Sequence, residues 1–319
     1  MTAGLLDRVA GAPISWGVSE VPGWGHQLDR DRVLSEMASI GLHATELGPD
    51  GFLPAGPAGL ASALAAYGLR AVGAFVPVFL HEPSRLDHEL KRVAAASDAL
   101  AACGAQVCVL AAATRSDGYD VSTDLDEAGW AALLAGLDRA SAVVAERGLV
   151  LALHPHMGTV VERLEHVQRV LAGSTTKLCL DTGHLMVGGS DPLALARAVP
   201  DRVAHVHLKD IDAGVADRVR RGDTGYRDAV AGGLYRPLGD GDLDVAGIVR
   251  SLEAAGFEGW YVLEQDVVLS APPEPEEGPV RAAARSLGFL AAIADSSHDA
   301  LTLVGEGKRG TPHRAATRD

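Results

Sequence analysis

Eight short apolar runs, each followed by a helix-like segment or a polar connection, constrain this chain more than any other feature of its sequence. The runs cover residues 12–18, 44–47, 71–76, 107–111, 149–154, 177–181, 203–208 and 260–264, and each has the length of a buried strand. Between them, residues 29–40, 58–67, 86–102 and 125–147 repeat apolar side chains at helical spacing. Asp29 stands where an N-cap belongs and Gly41 where a left-handed C-cap belongs. Gly68, Gly104, Gly148, Gly173 and Gly256 repeat the order helix, glycine, strand. Eight such units predict an α/β fold, a (β/α)8 TIM barrel occupying residues 1–295 as one domain. The glycine fingerprint of a dinucleotide-binding sheet does not follow the first run.

Two segments depart from the repeat. Residues 209–242, after the seventh strand, form a long connection that carries Tyr226, Arg227, Tyr235 and the run PLGDGDLD. Loops of this length on the catalytic face of a barrel read as lids or binding loops. Residues 296–319 are polar and without periodicity, which predicts a disordered tail.

Of the 319 residues, 47% are hydrophobic but only 4% are aromatic, a composition suited to closely packed helices around a parallel sheet. The net charge of −14, with no basic stripe, argues against a nucleic-acid partner. Three cysteines without a CxxC pair fit small buried residues in a reducing compartment. There is no secretory leader pattern and no uninterrupted apolar stretch near the roughly 18 residues of a membrane span, so a soluble, cytoplasmic protein with no membrane partner is expected.

His154, Asp181, His207 and Glu264 each close one of the last four strands, in LVLALH, KLCLD, VAHVH and WYVLE. Strand ends of a parallel barrel converge at its C-terminal mouth, so two imidazoles and two carboxylates there predict one divalent cation. A mixed nitrogen and oxygen set favours Mn²⁺ or Co²⁺, with Mg²⁺, Fe²⁺ and Zn²⁺ as alternatives. His156 in HPHMGT, His184 in DTGH and Lys209 in HLKD lie beside this set as candidates for proton transfer, together with Glu264 itself. Trp16, Glu46, Phe75, Asp210, Tyr226 and Arg227 are candidates for substrate contact. Core packing for the aromatic rings and support of a metal ligand for Glu46 are the competing readings.

The segments APISWG, ATELGPDGFLP, HPHMGTVVE, LCLDTGH, HVHLKD and PLGDGDLD, in that order across roughly residues 10–290, resemble the sugar phosphate isomerase/epimerase superfamily of xylose-isomerase-like barrels. LCLDTGH with HVHLKD carries the superfamily resemblance. HPHMGTVVE and PLGDGDLD tilt it toward the family of inosose dehydratases, which act on 2-keto-myo-inositol. The resemblance implies a metal-dependent hydro-lyase of inositol catabolism acting on a small keto-cyclitol. In related epimerases the fifth strand ends in a metal-binding glutamate that also serves as a base, and the matching position here is His154. Epimerisation needs a base on each face of the substrate, whereas elimination needs one base and one acid, so the exchange favours a lyase. A metal-dependent isomerase or epimerase of a ketose is the alternative. An abasic-site endonuclease and a catalytically silent barrel are weaker ones. Relatives of this fold often pair, so a homodimer or homotetramer is compatible with the sequence.

Overall fold

A computed structural model of the chain describes residues 3–114, 119–121 and 123–306. Its main sheet is parallel, with nine hydrogen-bonded segments that close into a barrel of eight staves. Stave one is Val9–Gly11, stave two Ala44–Thr45, and stave three is broken at Val72 into Arg70–Ala71 and Gly73–Val78. The first piece of stave three pairs with stave two and the second with stave four, so the break is where the barrel joins up. Staves four to eight are Val107–Ala112, Val150–Leu153, Lys177–Asp181, Val203–Leu208 and Tyr261–Leu263. Stave eight pairs back onto stave one, with Val9 opposite Tyr261.

Side chains alternate between the barrel interior and the helical shell because the strand period is two. Val107, Val109, Ala152 and Cys179 pack as one small buried cluster, and Ala10, Ala12, Ala44, Val72, Trp260 and Val262 as another. The larger apolar side chains form a continuous layer with the helices, among them Leu110, Leu133, Leu153, Leu180 and Val206. Register then sets the height of the polar groups. Cys179 lies opposite His205, and Asp181 opposite His207, one step nearer the C-terminal mouth.

Most elements lie where the pattern put them, and the exceptions have local causes. Asp29 caps the helix Arg30–Ser39 by accepting from the Arg32 amide, and Gly41, Gly68, Gly104, Gly148 and Gly256 all have positive φ. Gly173 does not: it is the last residue of the helix Leu164–Gly173, and Ser174 ends that helix in an extended conformation. The first stave precedes the predicted run, because Pro13 opens a 3-10 turn over Pro13–Trp16 that closes on left-handed Gly17. Trp16 is fully buried and its indole N–H donates to Glu36 at 2.8 Å, so it anchors the first helix to the barrel. The last helix, Pro279–Glu306, runs into the segment expected to be unstructured. The remainder of that expectation, residues 307–319, lies outside the described residues. One helix, Glu127–Ala145, has the length and hydropathy of a membrane span, yet it buries Trp130, Leu133, Leu137, Ala140 and Val144 in the helical layer.

The connection after stave seven is an ordered insertion. Asp210–Ile211 and Tyr235–Arg236 pair antiparallel, and the helices Ala213–Arg220 and Tyr226–Ala231 lie between them. It has its own apolar cluster, in which Ile211, Val215, Tyr226, Val230, Leu234 and Tyr235 are buried together with Trp24. Asp210 holds its exit. One carboxylate oxygen accepts from the amides of Gly239 and Gly241 at 2.8 and 3.1 Å, the other from those of Ile211 and Leu243 at 2.9 and 3.1 Å. The PLGDGDLD run is thus a backbone clamp for a buried carboxylate. At Gly241 a Cβ would fall 2.2 Å from Asp210 Oδ1, which accounts for glycine there. Both oxygens of Asp210 are therefore engaged by these amides. Replacing Asp210 by Ala leaves these amides without their acceptor, and the expected loss is about 3 kcal/mol of folding stability, read by urea unfolding.

Candidate active site

Asp181 ends stave six and also caps the helix Thr182–Val187, its Oδ1 accepting from the His184 amide at 2.7 Å. That cap fixes the carboxylate and turns Oδ2 toward the barrel axis. There Oδ2 lies 2.6 Å from Lys209 Nζ, 3.2 Å from His154 Nε2 and 3.4 Å from His207 Nδ1. Glu264, at the end of stave eight, brings Oε2 to 2.8 Å from His207 Nδ1 and into contact with Lys209 Nζ. Asp181, His207 and Glu264 thereby offer ligand atoms within 4.8 Å of one another, all buried. His154 joins the set through Asp181, in a second group with His184 and in a third with His207 and Cys179.

The donor set fits a divalent cation on its own chemistry. His207 Nδ1 is buried and makes no hydrogen bond although two carboxylate oxygens stand within 3.4 Å, and His154 Nδ1 is buried without a partner. Nitrogen and carboxylate ligand atoms gathered within 4.8 Å of one another, one of them an unmatched imidazole nitrogen, are a donor set that a cation can satisfy. Two imidazoles with two carboxylates suit a transition metal.

Below this layer Glu46, at the end of stave two, accepts from His205 Nε2 at 2.9 Å and from His207 Nε2 at 3.0 Å. A carboxylate on the far nitrogen of a ligand histidine fixes its tautomer and aim. Glu46 therefore stands behind His207, the supporting position that was the competing reading for it. The Arg227 guanidinium donates to the carbonyls of Gly23 and Trp24, tying the insertion to the loop after stave one.

The wall beside the metal-competent set is aromatic and imidazole-rich. Phe75 stands edge-on to His154 at 5.8 Å between ring centroids and 5.6 Å from His156. His156 lies over His184 at 3.7 Å. The HPHMGTVVE motif builds this arrangement: Glu162 accepts from the Gly158 amide at 2.8 Å and Thr159 donates to the His156 carbonyl at 2.8 Å. Tyr226 and Tyr235 reach in from the insertion, their hydroxyls 2.9 Å apart, and Tyr226 donates to Asp266 Oδ2 at 2.9 Å. Gly183 lets Lys209 and Tyr235 come this close, since a Cβ there would lie 2.6 Å from the Tyr235 ring and 2.8 Å from Lys209 Cβ.

Burial and charge together set the protonation states. Burial, reinforced by His154, pushes His156 down to about 3, and burial with His156 beside it holds His184 well below the usual range. Burial would lower Lys209 too, but Asp181, Asp266 and Glu264 outweigh it and hold the ammonium charged. Burial likewise opposes charge on His207, and Cys179, Glu264 and Glu46 reverse the balance. Asp266 is raised to about 6 by burial, with Lys209 opposing and Glu264 adding to the shift.

Asp266 and His205 are the site residues that reading strand ends misses. Both share the face of a recognised neighbour by the two-residue period: Asp266 follows Glu264, and His205 precedes His207 and Lys209 in HVHLK. Extending the alternation past each strand end would have exposed them.

Residues 34–292 match a family profile described as xylose isomerase-like TIM barrel. The chain is 34% identical over 278 residues to an inosose dehydratase of Geobacillus kaustophilus (strain HTA426), covering 83% of this chain and 90% of the relative. It is 34% identical over 267 residues to the rhizopine catabolism protein MocC of Rhizobium meliloti, covering 81% of each. A solved structure described as IOLI protein with a binding zinc atom superposes with a TM-score of 0.65 at 14% identity, covering 91% of this chain and 98% of that one.

The depressed histidines make a stability prediction. The unfolded chain protonates a histidine near 6.5, whereas folded His156 resists protonation until about 3. Between those values the unfolded state binds the extra proton, so stability is full above pH 6.5 and declines as pH falls. At pH 5 this ring costs about 2 kcal/mol relative to pH 7. Urea unfolding of chelator-treated protein at both pH values should show a smaller drop for His156→Gln than for the parent, and equal drops would refute the assignment.

Proposed function

Because the chain belongs to the xylose isomerase-like TIM-barrel family and within it groups with the inosose dehydratases, we propose that it is a metal-dependent hydro-lyase that removes water from a keto-cyclitol such as 2-keto-myo-inositol. The observation that carries the reading is the meeting of Asp181, His207 and Glu264 at one point of the barrel mouth, with an imidazole, His154, completing the set from stave five. His154, Asp181, His207 and Glu264 are the residues that would hold the cation, for which Mn²⁺ or Co²⁺ is proposed. When bound, such an ion supplies Lewis acidity that polarises the ketone and acidifies the neighbouring C–H. The form proposed is a cytoplasmic enzyme acting on a soluble polyol.

Two side chains divide the proton traffic. His156 Nδ1 donates to the Met157 carbonyl at 2.7 Å, which leaves Nε2 with its lone pair, and that atom takes the α-proton. Lys209 Nζ, held as an ammonium by three carboxylates, gives a proton to the departing hydroxyl so that water leaves. One proton is accepted and one released, and the C–O bond breaks as the ring gains a double bond. Glu264 is already engaged by His207 and Lys209, which makes it a ligand in this scheme and not the base.

Metal-reconstituted protein given 2-keto-myo-inositol should yield a product lighter by one water. A solvent-labelled isomer of unchanged mass would instead identify an epimerase. Asp181→Ala should lose both bound metal and turnover. Lys209→Met should keep stoichiometric metal by elemental analysis while kcat falls about 10²- to 10³-fold. Full turnover by metal-stripped enzyme would defeat the scheme.

A further inference from the structure

Resting on that reading, we infer that His184 and Asp266 form a two-sided clamp for one substrate hydroxyl, beside the residues that would hold the cation. His184 Nε2 and Asp266 Oδ1 are both buried polar atoms without a hydrogen-bond partner. A folded protein rarely leaves such atoms unmatched, so an orphaned donor 3.9 Å from the carboxylate that carries an orphaned acceptor calls for a shared partner.

Their chemical sense is fixed by what holds them. His184 Nδ1 accepts the Met157 amide at 3.4 Å, so the ring proton resides on Nε2, which is a donor. Asp266 Oδ2 is occupied by the Tyr226 hydroxyl, itself 2.9 Å from the Tyr235 hydroxyl, so the acceptor left over is Oδ1. Lys209 Nζ, 3.4 Å from Oδ1, balances the carboxylate charge. His184 Nε2 stands 3.9 Å from Asp266 Oδ2, too far for the two groups to satisfy each other. One oxygen that accepts from the imidazole and donates to the carboxylate completes both.

That requirement selects an alcohol. A ketone cannot donate, an ammonium cannot accept, and a phosphate or carboxylate would face the negative charge of Asp266. The clamp therefore reads one hydroxyl of a neutral polyol, and the tyrosines that aim Asp266 come from the insertion after stave seven. Specificity is delivered by that insertion onto a barrel whose metal-competent atoms come from the stave ends.

The test uses metal-loaded protein with 2-keto-myo-inositol and its monodeoxy analogues, measuring kcat/KM and calorimetric binding. One analogue should be disfavoured on the order of 10³-fold, the penalty for leaving a buried donor and acceptor unmatched. In Asp266→Asn, His184→Gln and the double variant, kcat/KM for the parent substrate should drop about 10²-fold while that analogue changes less than about threefold. Melting temperature and metal content identify a variant that has lost its fold, and the isosteric Asp266→Asn guards against that outcome. Equal losses for parent and analogue, or wild-type protein that singles out no hydroxyl because water alone fills the clamp, would overturn the inference. Wild-type protein that binds the polyol with this one-position preference but never eliminates water would sink the dehydratase reading and leave the clamp standing.

Discussion

The closing of opposite charges at the C-terminal mouth governs this molecule. Asp181, Glu264, Glu46 and Asp266 are all at least nine-tenths buried, together with His154, His205, His207 and Lys209. Each isolated charge in such a place would cost several kcal/mol, so the members hold one another in position or fail together. Asp181 shows how thoroughly each atom is used: one oxygen caps a helix and the other meets Lys209 and two histidines. The barrel supplies the rigidity that this needs, because register places Asp181 and His207 side by side before any side-chain contact is made.

The insertion after stave seven works differently from a mobile flap. It has its own buried cluster, and a four-amide clamp on Asp210 fixes its exit. Its function is to bring two tyrosines over the stave ends, where their hydroxyl chain orients Asp266. Arg227 ties the same unit to the loop after stave one.

Around Met157 two histidines, tilted with ring centroids 3.7 Å apart, take opposite tautomers, one bonded to its carbonyl and the other to its amide. The same peptide environment thus yields a lone pair on His156 and a proton on His184. Burial keeps both rings neutral near neutral pH. Neutral rings come at a cost in acid, where the unfolded chain gains the protons that the folded one refuses.

Much of this was legible in the chain. The βα repeat specified a barrel, the left-handed glycines marked most helix ends, and stave-end positions identified His154, Asp181, His207 and Glu264, because strand period and connection chemistry are local properties. The hydrogen-bond partners of Trp16, Glu46, Asp210 and Arg227 were not legible. Each partners atoms distant in sequence or backbone amides in loops, such as Glu46 with histidines 159 and 161 positions away. Asp266 and His205 lay at alternate positions beside recognised neighbours, and carrying the two-residue period past the strand ends reaches both. What the sequence determined by itself was the barrel and the side of it that carries the polar groups, since both follow from periodicity. Which atoms face each other, which tautomer each ring holds, and which carboxylate is spent on amides were decided only by tertiary structure, because hydrogen bonding and desolvation depend on neighbours that chain order does not reveal.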